Sequence, residues 1–152
     1  MKFGTCVVLV ALLGAAPVAF ADGTARLLVV RADGVSVWFD VELALSAASR
    51  SRGLMQRETL APQAGMWFDF GRDVQVAMWM KDTLIALDMA FVAANGEVID
   101  IHPRAEPLSE TLIRAPQAVR YVLETAGGRL ADLAVTAGDR MLLTGPSLPK
   151  PD

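Results

Sequence analysis

The chain is poor in the residues that most site chemistry needs. Among its 152 residues there is one histidine, His102, one tyrosine and one cysteine. Cys6 falls inside an apparent export leader, so the exported chain has no thiol, which excludes a disulfide, a cysteine-held metal and a thiol nucleophile. A single histidine supplies zinc poorly, and no metal or other cofactor is expected. Neither a phosphate-cradling P-loop nor a dinucleotide G-x-G-x-x-G occurs, and no G-x-S-x-G elbow marks a serine nucleophile. Thr83 and Ser109 are nucleophile candidates by position only. Positive charge is also scarce: the formal net charge is −3, which argues against a general nucleic-acid binder. No apolar run approaches the roughly 20 residues of a membrane span. Internal repeats and low-complexity blocks are absent as well.

What is present begins with the leader. Met1-Lys2-Phe3 is a short basic start, residues 7–13 are an unbroken apolar run, and Ala19-Phe20-Ala21 fits an A-x-A cleavage site. Cleavage after Ala21 leaves 131 residues and, with Lys2 gone, a net charge of −4. The expectation is a periplasmic or secreted domain without stable membrane insertion. Cys6 lies too early to serve as a lipoprotein cysteine. Arginine outnumbers lysine 11 to 3 and alanine is abundant, a composition typical of GC-rich bacterial genomes.

The mature chain reads as many short strands. After a flexible start at 22–25, residues 27–30 are a short apolar strand and Arg31-Ala32-Asp33-Gly34 a turn. Residues 35–45 alternate, with Val37, Phe39, Val41 and Leu43 on one face. Ser46 N-caps a short helix over 47–52, which Gly53 stops. Residues 66–70 form a strand, 71–73 a turn and 74–81 a second alternating strand that buries Val76, Met78 and Met80. Residues 87–92 and 97–102 form a hairpin around Asn95-Gly96. A three-residue loop with Gly96 as its bulge pairs Ala93 with Glu97 and groups Leu87, Met89 and Phe91 with Ile99 and Ile101. That register sets Asp88 opposite His102. Residues 103–118, with three prolines, read as a long loop. A strand at 120–125, a short helix at 128–133 and a last strand at 140–143 follow. The predicted fold is mainly β with one or two short helices (α+β), a compact barrel-like or sandwich single domain. Its predicted bounds are a leader at 1–21, the domain at 22–145 and a Pro-rich tail at 146–152.

Several segments share an order with a known family. They are Arg52-Gly53-Leu54-Met55-Gln56-Arg57, Gly65-Met66-Trp67-Phe68, the run from Met78 to Met89, Tyr121-Val122-Leu123-Glu124, Ala126-Gly127 and Gly138-Asp139. In these the chain resembles the DUF192 family, also called UPF0127, over roughly residues 35–143. The family usually has Asn at the position of Asp82. The resemblance implies a small β-rich domain of a kind often exported, and it leaves activity open.

The most specific segment is Trp79-Met80-Lys81-Asp82-Thr83. Trp79 and Lys81 share the less apolar face and Asp82 and Thr83 begin a loop, which together make a small polar pocket with an aromatic wall. The architectural alternative has Trp79 packing on a strand and Asp82 or Thr83 capping a turn. Asp88 with His102 is a candidate carboxylate–imidazole pair, and Glu124 a candidate acceptor for the backbone amides of the Gly127-Gly128 turn. Lys81, Asp82 and Asp88 are expected at one end of the domain with Trp79 or His102 at the rim, because only the link 82–86 joins their strands. The ligand-binding candidates are thus Trp79, Lys81, Asp82, Thr83, Asp88, His102 and Glu124. The favoured reading is a monomeric envelope domain that binds a small molecule, a glycan or an envelope protein. A carboxylate-dependent hydrolase is the first alternative. The second is Cu(I) binding by Met78-Trp79-Met80 and His102, soft Met, Trp and His groups in an exported protein, although buried thioethers usually only pack.

Overall fold

The computed structural model describes residues 21–144, so the leader up to Phe20 and the Pro-rich tail lie outside the described residues. The elements are β1 (Thr24–Val30), β2 (Ser36–Ala44), α1 (Ala47–Arg52), β3 (Ala64–Val74), β4 (Ala77–Met78), β5 (Leu87–Val92), β6 (Val98–Ala105), β7 (Ile113–Arg114), β8 (Val119–Ala126), α2 (Arg129–Asp132) and β9 (Arg140–Thr144). Seven strands form one mixed sheet in the order β6-β5-β8-β3-β2-β1-β9, and β4 pairs with β7 apart from it. Among the described residues only β2 and β3 run parallel, and such a pair needs a crossover, which here carries α1.

The fold is mainly β with two short helices, as the sequence predicts. The sheet is not closed into a barrel: its edge strands approach each other through an isolated Glu97–Arg140 bridge. Apolar side chains cover both faces instead. On one face Leu27, Phe39, Leu43, Trp67, Ala90 and Leu123 pack with Leu130 of α2. On the other, Met66, Phe68, Met89, Phe91 and Val122 lie beneath Leu54, Val76, Met80 and Ala115. Strand β5, one in from the edge strand β6, is therefore buried at every residue, including Asp88.

Local chemistry explains the start of α1. The Ser46 hydroxyl accepts from the Ser49 N–H and the Ser49 side chain answers the Ser46 N–H, a reciprocal capping box. Asp22 joins them, its carboxylate accepting from the Leu45 and Ser46 amides and from the Ser46 and Ser49 hydroxyls. Residue 22 is thus fixed, where a flexible start is predicted. Burial opposes its charge, but these donors outweigh it and hold the carboxyl down at about 2.

Four further expectations are corrected. The predicted turn at 71–73 lies within β3, which runs to Val74 with a register shift between Asp69 and Val74. The segment 74–81 alternates as predicted, with Val76 and Met80 buried, Met78 half-buried and Gln75, Ala77 and Trp79 exposed, but it is not one strand: Val74 ends β3, Ala77–Met78 is paired in β4, and Lys81 sits in a turn. The predicted loop at 103–118 includes the end of β6 and all of β7. In the hairpin, the Ala93 N–H does donate to the Glu97 carbonyl at 2.9 Å, as the bulged loop requires. A second irregularity between Phe91 and Val92 then shifts the ladder, setting Phe91 opposite Asp100 and Met89 opposite His102.

Candidate functional site

That shift separates the predicted pair. Residues directly opposite in a ladder share a face. Met89 is opposite both His102 and Glu124, whereas Asp88 is opposite Thr125 on the reverse side. Asp88 therefore does not orient His102. Its Oδ1 accepts from the Arg104 N–H at 2.8 Å and the Gly128 N–H at 2.7 Å, and its Oδ2 from the Leu130 N–H at 2.9 Å. This buried side chain ties β5 to the end of β6 and to the start of α2. It is a structural clasp.

Glu124 does something else. One row across the sheet reads His102, Met89, Glu124, Met66 and Glu42, from β6 to β2. Glu42 ends the row in a two-pronged pair with Arg57, both N–O distances being 2.6 Å. Glu124 stands in the middle, 4% exposed, and its Oε2 has no hydrogen-bond partner among the described residues. It does not reach the amides of the Gly127-Gly128 turn, where Asp88 already serves. Burial pushes its carboxyl up to about 8, so at neutral pH it is an acid rather than an anion. Gly53 lies over it. A Cβ at Gly53 would stand 3.7 Å from Oε2 and 3.4 Å from the Phe68 ring.

The segment from Trp79 to Thr83 is held by loops. The Met80 N–H donates to the Ser109 carbonyl at 2.9 Å and the Leu108 N–H to the Thr83 carbonyl at 3.0 Å. The Gln56 N–H donates to the Asp82 carbonyl at 2.8 Å. Thr83 is buried, its hydroxyl donating to the Lys81 carbonyl at 3.2 Å. Met80 is 1% exposed and packs in the core, and Met78 is half-buried against the same cluster, so their sulfurs serve packing first. Among the described residues no group of three or more His, Cys, Asp or Glu could hold a metal ion.

Trp79 turns outward. The residue is 42% exposed, with the Lys81 ammonium 5.4 Å from the ring centroid. Three leucines on the two joined loops are exposed too, Leu84 at 43%, Leu108 at 60% and Leu112 at 43%. Sequence reasoning missed these leucines, although the place of Leu108 and Leu112 in a proline-interrupted stretch with no alternating pattern is a legible signal. It also missed Gly53 as more than a helix stop. Of the predicted candidates, the structure gathers Trp79, Lys81, Asp82 and Thr83 on one loop, leaves His102 and Glu124 two strands apart on one sheet face, and puts Asp88 on the other.

The model of the DUF192 family, described as "Uncharacterized ACR", matches residues 28–143. No curated protein matches the chain. Among solved structures, the chain is similar to a protein from Sinorhizobium meliloti 1021 proposed to be a transcription regulator, at 41% identity and a TM-score of 0.79, over 81% of this chain and 95% of that one. It is also similar to a protein of unknown function from Novosphingobium aromaticivorans DSM 12444, at 31% identity and a TM-score of 0.78, over 92% of this chain and 99% of that one.

Proposed function

The chain belongs to the DUF192 family, and from that premise we propose that it is an exported, monomeric envelope domain that docks a partner through the loops 79–84 and 106–112. The observation that carries this reading is the exposed indole of Trp79, with Lys81 on its ring, on loops that also expose Leu84, Leu108 and Leu112. Exposed apolar side chains grouped in this way mark interaction sites more often than scattered ones do. Their rigid mounting fits recognition, since both loops are hydrogen-bonded to each other above a packed core. Three leucines beside a tryptophan favour a partner with apolar surface, an envelope protein first and a glycan or small molecule second. Export is supported by the leader pattern of the sequence.

The hydrolase reading draws its support from Glu124, whose raised titration suits a general acid. The other carboxylate of its row, Glu42, is committed to Arg57, and Asp88 is committed to backbone amides on the other face. Thermal-shift screening of residues 22–152 against cell-wall fragments, sugars and metal salts separates the two, with the Trp79→Ala and Glu124→Gln variants alongside. A bound ligand raises the apparent stability by mass action. Docking at the loops predicts that the shift vanishes in Trp79→Ala and survives in Glu124→Gln.

A further inference from the structure

A short piece of chain joins the buried acid to the docking loops. Residues 53–57 leave α1 beside Glu124: a Cβ at Gly53 would stand 3.7 Å from Oε2, Leu54 is 1% exposed in the cluster that also holds Met66 and Met89, and the Gln56 N–H donates to the Asp82 carbonyl. Upstream, α1 is anchored by Asp22, Ser46 and Ser49, and downstream Arg57 is anchored on Glu42. The segment is thus fastened on both sides, and its first residue lies against a carboxyl that has no hydrogen-bond donor at Oε2 among the described residues.

We propose that residues 53–57 are a proton-controlled cover, closed while the Glu124 carboxyl is neutral and loosened when it ionises, and that the Gln56–Asp82 hydrogen bond passes this state to the docking loop. The bearing on docking rests on the reading given above; the cover itself does not. The physics is the cost of a buried charge. A neutral carboxyl can sit beneath Gly53 with an unfilled lone pair, but an anion there needs water or a cation. The charged and titratable groups around it are few. On its own sheet face His102 stands one strand beyond Met89, and Glu42 with its partner Arg57 one strand beyond Met66. Arg52 ends α1 immediately before Gly53. On its own strand Arg120 is bound to Asp69. Lifting the cover lets water reach Glu124, and burial is the cause of its upward shift. Glu124 ionises more readily in the open form, so opening gains with rising pH between the ordinary carboxyl range and about 8.

Amide hydrogen exchange on the exported chain tests this, with each rate divided by its intrinsic rate at the same pH. The protection of the Gln56 amide is expected to be well below that of β5 and to fall about tenfold per pH unit between pH 5 and 8, the slope of one linked proton. In Glu124→Gln that slope is expected to vanish. An unchanged slope in Glu124→Gln, or protection of Gln56 equal to that of β5 at every pH, overturns the proposal. If Glu124→Gln does not fold, the 13C titration of the Glu124 carboxyl in the native chain decides: a midpoint below pH 5 overturns it. A Trp79→Ala variant run in parallel keeps the two readings apart. It is expected to leave the exchange profile intact, so a failure of docking and a failure of the cover appear in different variants.

Discussion

Gln56 and Asp82 face each other across two loops, the N–H of one donating to the carbonyl of the other at 2.8 Å, and both hold positive backbone φ, 63° and 53°. Side chains resist that conformation at about 1–2 kcal/mol per residue, least for Asn and Asp. Two such residues joined by one hydrogen bond make the junction of the 53–57 segment with the docking loop a site of stored strain, the kind that persists only where the surroundings over-determine it.

The strain gives the first expected outcome. Asp82→Val puts a β-branched side chain at φ 53° and lowers stability by about 1–2 kcal/mol, while Asp82→Gly stays within about 0.5 kcal/mol of the native chain. Urea titration measures both. Equal losses in the two variants would place the Asp82 side chain, rather than its backbone, in control of the turn.

The second concerns Asp88. Asp88→Ala strands the N–H groups of Arg104, Gly128 and Leu130 and is expected to cost about 3–5 kcal/mol. Asp88→Asn keeps one carbonyl oxygen for the two bonds made by Oδ1 and costs about 1–2 kcal/mol. Denaturant curves of the pair check the order. A loss below about 1 kcal/mol in Asp88→Ala contradicts the clasp.

The third concerns pH. Glu124 titrates near 8 in the folded chain against 4.5 for the ordinary group, so its contribution is fully present below about 4.5 and is lost as pH rises to 8, at about 1.4 kcal/mol per unit. Asp22 works in the opposite sense: held at about 2, its contribution is present above the ordinary carboxyl range and is lost as pH falls through 2. Stability is therefore expected to peak near pH 4–5. Glu124→Gln should flatten the alkaline limb without touching the acid one. Thermal melts from pH 2 to 9 read both limbs, and an alkaline limb unchanged in Glu124→Gln would exclude Glu124 as its source.

The parts of this fold that were legible in the sequence are those that depend on near neighbours. Helix α1 has the cap and stop that Ser46 and Gly53 announce. The alternation from Gln75 to Met80 sorts exposed from buried except at Met78, which is half-buried, and the Ala93–Glu97 contact follows from the bulged loop chemistry. What depends on distant contacts was not legible. The irregularity between Phe91 and Val92 moves His102 away from Asp88 and onto Met89, and no alternation pattern in β5 or β6 announces it. Alternation in a half-buried strand puts Asp88 on the face away from Leu87, Met89 and Phe91, but it does not tell that this face is covered too, as both faces of β5 are. Glu124 was visible as a candidate, but its lack of a partner at Oε2 depends on Gly53 arriving from 71 residues earlier in the chain.

The docking surface is the central claim, and site-specific photo-crosslinking in cells exporting the full chain tests it most directly. A photoreactive residue at Leu84 or Leu108 is compared with one at Val35, which is 47% exposed in the turn between β1 and β2. The account predicts one discrete envelope adduct from positions 84 and 108, none from 35, and loss of that adduct when Trp79→Ala is combined with either. No adduct from the loops, or the same adduct from position 35, would contradict it.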